Sequence, residues 1–156
     1  MILVGGVAHL YQGDLDVGRH VIDRLLEEDL GADVVVEDLS YGAVAVAQRL
    51  EELRPDVLVL VGAKRRGRAP GTVERREVGG LTDDPAAIQR AVADAVTGYI
   101  DLDLVLEVAH ALGALPRRTV AIEVEPDSTD FSEHLTPRAE AGLCRALELV
   151  RRELAR

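Results

Sequence analysis

Asp56-Val57-Leu58-Val59-Leu60-Val61 is the most apolar strand-like run in the chain, and it opens directly into Gly62-Ala63-Lys64-Arg65-Arg66-Gly67-Arg68-Ala69-Pro70-Gly71-Thr72. Five apolar residues without alternation predict a strand covered on both faces, the habit of the centre of a parallel sheet. Immediately upstream, Ala43–Leu53 carries Val44, Ala47, Leu50 and Leu53 at helical spacing, and Pro55 ends that helix. A helix delivering the chain into a buried strand is the repeating unit of α/β folds.

The same alternation continues in both directions. Upstream, Ile2–Gly6 reads as a buried strand and Asp33–Leu39 as a β-branched one. Between them Val17–Leu30 places Val17, Val21, Ile22, Leu25 and Leu26 on one helical face, with Gly31 as the C-cap glycine. Downstream, Thr72–Val78 is charged at Glu74, Arg75, Arg76 and Glu77 and reads as an edge strand or hairpin arm. Asp84-Pro85 begins a helix by N-cap and N1 chemistry, and Leu102–Leu112 runs helically to Gly113. Thr119–Val124 makes a last strand, and a terminal helix opens at Thr136-Pro137 with Leu143, Leu147, Val150 and Leu154 on one face. The expected fold is α/β: a mostly parallel twisted sheet of about five strands, flanked by helices in three layers. No repeat or linker divides residues 1–156, so a single domain is expected.

The formal net charge of −10 excludes nucleic acid and anionic membranes as main partners, because either demands a basic face. Aromatic residues make up 3% of the chain, too few for a base-stacking platform. The amino terminus has no basic flank and too short an apolar run for a secretory signal. The single cysteine, Cys144, fits a reducing cytoplasm, and its neighbours Leu143, Ala146 and Leu147 predict a buried structural thiol. Oligomeric state is not encoded in any pattern of the sequence.

Function in open α/β sheets gathers at the carboxyl ends of the strands. Three segments fall there: Gly6–Gly18, containing His9, Asp14 and Asp16; Val61–Thr72; and Val96-Thr97-Gly98-Tyr99-Ile100-Asp101. Here the chain resembles the nickel–iron hydrogenase maturation proteases, which trim a C-terminal extension from the hydrogenase large subunit. The first loop has the spacing of that family's glycine–acidic–glycine loop. Gly67-Arg68-Ala69-Pro70-Gly71-Thr72-Val73 is similar to its G-x-x-P-G-T-V element. Leu102–Gly113 with Leu115-Pro116 is similar to its later helix, and Glu125-Pro126 with Leu135-Thr136-Pro137 to the region before its last helix. The resemblance implies a phosphorylase/hydrolase-like fold, a peptidase ancestry and a hydrogenase large subunit as protein partner.

The departures bear on chemistry. The family's metal ligands are two acidic residues and a histidine, and by position those roles fall on Leu15, Gly62 and Gly98. None of the three offers an oxygen or imidazole ligand. The family's first-loop asparagine is His9 and one of its glycines is Ala8, while Asp14 keeps a family-like identity. No metal or cofactor is therefore expected at the inherited site. Three functional readings follow. One is a pseudoenzyme that serves as a binding or accessory protein. Another is an active hydrolase with a relocated site around His9, Asp14 and Asp16, which would use nickel or another divalent metal, with His110 or His134 approaching. The last is an anion or acidic-peptide module built on Lys64, Arg65, Arg66 and Arg68, against the plainer reading of that run as a solvated loop tip. No serine sits in a nucleophile elbow, and neither a P-loop nor a dinucleotide fingerprint is present. The pairs Asp101/Asp103 and Glu51/Glu52 read as helix caps and solvated faces.

Overall fold

A computed structural model describes residues 1–156 as a five-stranded sheet between two helical layers. The strands are β1 (Ile2–Val7), β2 (Val34–Asp38), β3 (Val57–Ala63), β4 (Val73–Glu77) and β5 (Arg118–Val124), in the order β2-β1-β3-β5-β4. The strand β3 is central, as its apolar run predicts, with Leu58 to Val61 fully buried. Only β4 runs antiparallel, pairing Val73 with Val124 through Glu77 with Val120. It is an edge strand, and its charged side chains fit that place.

The helices are α1 (Val17–Leu25), α2 (Ala43–Leu53), α3 (Pro85–Val96), α4 (Leu102–Ala111) and α5 (Pro137–Leu154). One face of the sheet packs on α2 and α4 through Leu3, Leu58 and Leu60 against Leu50, Leu102 and Leu106. The other packs on α1 and α5 through Val4, Val59 and Ile122 against Val21, Leu25, Leu143 and Val150. Because strand residues alternate faces, neighbours such as Leu58 and Val59 supply opposite cores. No helix is long and apolar enough to cross a membrane.

Caps set the helix starts. Asp84 accepts from the Ala87 amide, Asp101 from Leu104 and Thr136 from Ala139, each with the extended backbone of an N-cap. Three expectations need correction. The helix from Val17 stops at Leu25, not Leu30, since Glu27, Glu28 and Asp29 meet the negative end of the helix dipole. The chain tightens there through Glu27 N–H to Arg24 O and Glu28 N–H to Leu25 O, leaving Leu26 exposed and Gly31 in a separate turn. In α2 the buried stripe is Ala43, Val46, Ala47 and Leu50, so Val44 faces out. Pro55 follows that helix as expected, with Arg54 in the left-handed region as its C-cap. Finally, Cys144 is exposed, because it falls in line with Glu140 and Glu148, one helical step off the Leu143–Leu147 stripe.

Candidate functional site

The carboxyl edge of the sheet is built around Asp14. Its segment, Gly13–Asp16, forms one 3-10 turn that buries the side chain completely. The Asp14 carboxylate accepts from the amides of Asp127, Ser128 and Thr136 at 2.8, 3.1 and 2.8 Å, and from the Thr136 hydroxyl at 2.7 Å. Its own amide donates to Ser128 O at 2.9 Å. Burial alone would raise the Asp14 pKa, but the hydrogen bonds from Thr136, Asp127 and Ser128 together hold it below the usual aspartate value. Asp14 is thus a clamp joining the first loop to the segment between β5 and α5, and its lone pairs are spent.

Asp16 is equally buried and equally committed. The Arg19 guanidinium binds it through Nε at 3.0 Å to both oxygens and through Nη2 at 2.6 Å, while stacking 5.9 Å over the Tyr11 ring. Although Asp16 stands at the N-cap position of α1, it makes no side-chain cap there. His9, Asp14 and Asp16 do not converge. His9 lines one cleft, Asp16 another with Leu10, Ser40 and Tyr41, and Asp14 neither. His110 pairs with Asp83 at 2.8 Å on α4, and His134 is an exposed loop residue. The structure contains no group of three His, Cys, Asp or Glu side chains placed to hold a metal ion.

The cleft that contains His9 measures about 310 Å³ and lies between the first loop, the end of β3 and the entry to α4. Leu15, Gln12 and Ala63 line it together with Lys64, Tyr99 and Asp101. Lys64 Nζ reaches Asp101 Oδ2 at 2.5 Å and Asp103 Oδ2 at 3.5 Å, and the Tyr99 hydroxyl donates to Asp101 at 2.9 Å. Burial opposes the Lys64 charge, but Asp101 and Asp103 outweigh it and raise its pKa. Burial likewise opposes ionised Asp101, and Lys64 together with the Leu104 amide reverses this, lowering its pKa. The cleft's carboxylate, Asp101, is thus already paired with the Lys64 ammonium.

The positions to which the resemblance assigns metal ligands are shaped for what occupies them. A Cβ on Gly62 would sit 2.6 Å from the Val7 carbonyl oxygen and 3.2 Å from Leu102 Cγ, so no larger side chain enters without backbone movement. Gly98 has open space around it but a φ of 86°, which disfavours a histidine. A divalent metal, as the family resemblance implies, does not fit: Leu15, Gly62 and Gly98 supply no donor, and the nearby carboxylates already serve Arg19, Lys64 or backbone amides.

The basic run is not a free patch. Arg66 forms a fork on Asp103 at 2.8 and 2.9 Å and reaches fully buried Glu123 at 2.9 Å. Glu125, itself buried, accepts the amides of Arg66 and Gly67 and pins the loop to the end of β5. Neither the solvated-tip reading nor the anion-site reading describes Lys64 and Arg66. Arg65, with only Thr129 Oγ1 at 3.4 Å, stays open to solvent. Arg68 forms no salt bridge, and its Nη1 is buried without a partner.

Sequence reasoning missed the pairing of Lys64 with Asp101, because residues 37 apart carry no spacing signal. It missed Tyr99 and Gln12 as cleft residues for the same reason. Asp101 does cap α4 as read, through the Leu104 amide at 2.8 Å, and serves Lys64 with its other oxygen. Asp103, by contrast, is no cap.

Comparison with known proteins gives a consistent fold. No family model and no curated protein matches the sequence. Among solved structures, an endopeptidase from Escherichia coli superimposes with a TM-score of 0.73 at 25% identity, covering 96% of this chain and 88% of its own. The hydrogenase maturating endopeptidase HybD from E. coli gives 0.66 at 25% identity, covering 99% and 91%. The hydrogenase 2 maturation peptidase of a Thaumarchaeota archaeon gives 0.69 at 22% identity, covering 98% and 97%. The structural neighbours are hydrogenase maturation endopeptidases along nearly the entire chain, and the fold is theirs.

Proposed function

We propose that the protein is a binding or accessory relative of the hydrogenase maturation endopeptidases, engaging a protein partner at the carboxyl edge of its sheet without metal-dependent cleavage. The observation that carries this reading is the closure of the metal position at Gly62 by the Val7 carbonyl, 2.6 Å from where a Cβ would lie. Leu15 and Gly98 contribute no ligand either, and the cleft's carboxylate is neutralised by Lys64. Fold likeness alone does not transmit activity, so the reading rests on the side chains of this chain. By resemblance the partner is a hydrogenase large subunit and the compartment the cytoplasm, with the chain acting as one domain.

The test is to incubate the purified protein and nickel with a hydrogenase large-subunit precursor that retains its C-terminal extension. The reading expects co-elution of the two proteins and an unchanged precursor mass. Loss of the extension would overturn it.

A further inference from the structure

The chain has four aromatic residues, Tyr11, Tyr41, Tyr99 and Phe131, and none of them is in the core. They come from four separate segments: the loop after β1, the loop after β2, the turn before α4 and the loop after β5. All four segments lie at the carboxyl edge of the sheet, and all four side chains are exposed, Phe131 at 84%. Leu10, 58% exposed, joins them there. Aromatic rings normally dominate cores, so a small protein that keeps every ring out of both cores and gathers them on one rim has an apolar surface without an internal partner.

The backbone holds this rim in place. Tyr11 is in the left-handed region at φ 61°, a conformation that a bulky residue adopts only under constraint. The constraint is visible: Tyr11 O accepts the Ser132 amide at 2.9 Å, and Gln12 bridges to Ser132. The result sets the Tyr11 and Phe131 rings edge to face at 6.3 Å, both turned to solvent. Charge indicates the occupant. Asp14, Asp38, Glu125, Asp127, Asp130 and Glu133 lie along this edge without a salt-bridge partner, against Arg65, Arg68, Arg138 and His134, on a chain of net charge −10. The Tyr11 ring already receives the guanidinium of Arg19 on its face.

We infer that Leu10, Tyr11, Tyr41, Tyr99 and Phe131 form a docking rim for an extended segment of a partner protein in which apolar and basic residues are interspersed. This deepens the partner-binding reading above, and the two fail separately. A clipped precursor would sink that reading and leave the rim standing, whereas an unoccupied rim would sink only the present inference.

The experiment is an amide-resonance titration of the full chain with a peptide of alternating leucine and arginine, alongside a leucine–glutamate counterpart. The expected result is shifts confined to residues 10–12, 40–42, 98–100 and 129–133 with the arginine peptide alone. Tyr11→Ser with Phe131→Ser should weaken binding roughly tenfold or more, as for aromatic anchors. Leu26→Ser with Leu112→Ser, at the opposite edge, should leave it unchanged. Equal binding of both peptides, shifts elsewhere, or no shift at millimolar peptide would each overturn the inference.

Discussion

Lys64 and Asp101 meet ammonium to carboxylate at 2.5 Å, at the mouth of a cleft whose third wall is the aliphatic side chain of Leu15. Asp101 also caps α4 and accepts from Tyr99, so one carboxylate ties the end of β3 to the start of a core helix. The pair does in this fold what a bound cation does elsewhere: it neutralises acidic groups at a sheet's rim. Its components are covalently part of the chain and cannot be exchanged for a metal.

Removing one partner should therefore cost stability rather than create a vacant metal site. Lys64→Met leaves Asp101 without a cation in a half-buried setting, while Asp103 keeps Arg66, and we expect a loss of about 1–3 kcal/mol. Urea unfolding of the variant measures it; an unchanged midpoint would show that the pair contributes nothing to folding.

Asp14 is the stronger structural element. Asp14→Ala strands the amides of Asp127, Ser128 and Thr136 and removes the acceptor of the Thr136 hydroxyl, and a loss of about 3–5 kcal/mol is expected. Hydrogen exchange should then rise first over residues 126–136, the segment that this side chain anchors. Protection preserved there would contradict the clamp.

Stability should depend on pH from both ends. Asp14, Asp101, Asp103, Glu123 and Glu153 are all depressed in the folded state. Their contribution is complete above the unfolded carboxyl values of about 3.9–4.3 and is lost as pH falls through the folded ones. The raised Lys64 works in reverse: its contribution is complete below an unfolded value of about 10.4 and is lost as pH rises through the folded one. Thermal unfolding should accordingly show a plateau from about pH 5 to 10 with a fall on either side. Peak stability at pH 4 would be inconsistent with these pairings.

Placing at position 62 the aspartate that the family resemblance implies should be costly. Gly62→Asp drives a Cβ against the Val7 carbonyl, so β1 and β3 must separate locally. We expect about 2–4 kcal/mol of destabilisation, typical of overpacking combined with a buried charge. Neutral behaviour in calorimetry would mean the strand edge is more compliant than its packing implies.

Much of the fold was legible because each element carries a local signal. The unalternated run Val57–Val61 marked the central strand, the charges of Glu74–Glu77 marked the edge, and Asp84, Asp101 and Thr136 marked helix starts. Where the reading slipped, a longer-range or finer balance decided: the acidic end of α1 against its apolar period, or one helical step for Val44 and Cys144. The metal positions at Leu15, Gly62 and Gly98 came from the family resemblance alone and from no pattern of this sequence. The salt bridge between Lys64 and Asp101 and the Asp14 clamp on Thr136 join residues far apart in sequence and follow only from the folded chain. The aromatic rim was hidden for a related reason: four isolated rings in four loops have no pattern until the sheet gathers their loops.

Isothermal titration with nickel and with zinc tests the central claim most directly. We predict no stoichiometric binding tighter than roughly millimolar for the intact protein, a free energy of about −4 kcal/mol at most. Micromolar binding of one ion per chain, abolished by His9→Ala or Asp101→Asn, would contradict it.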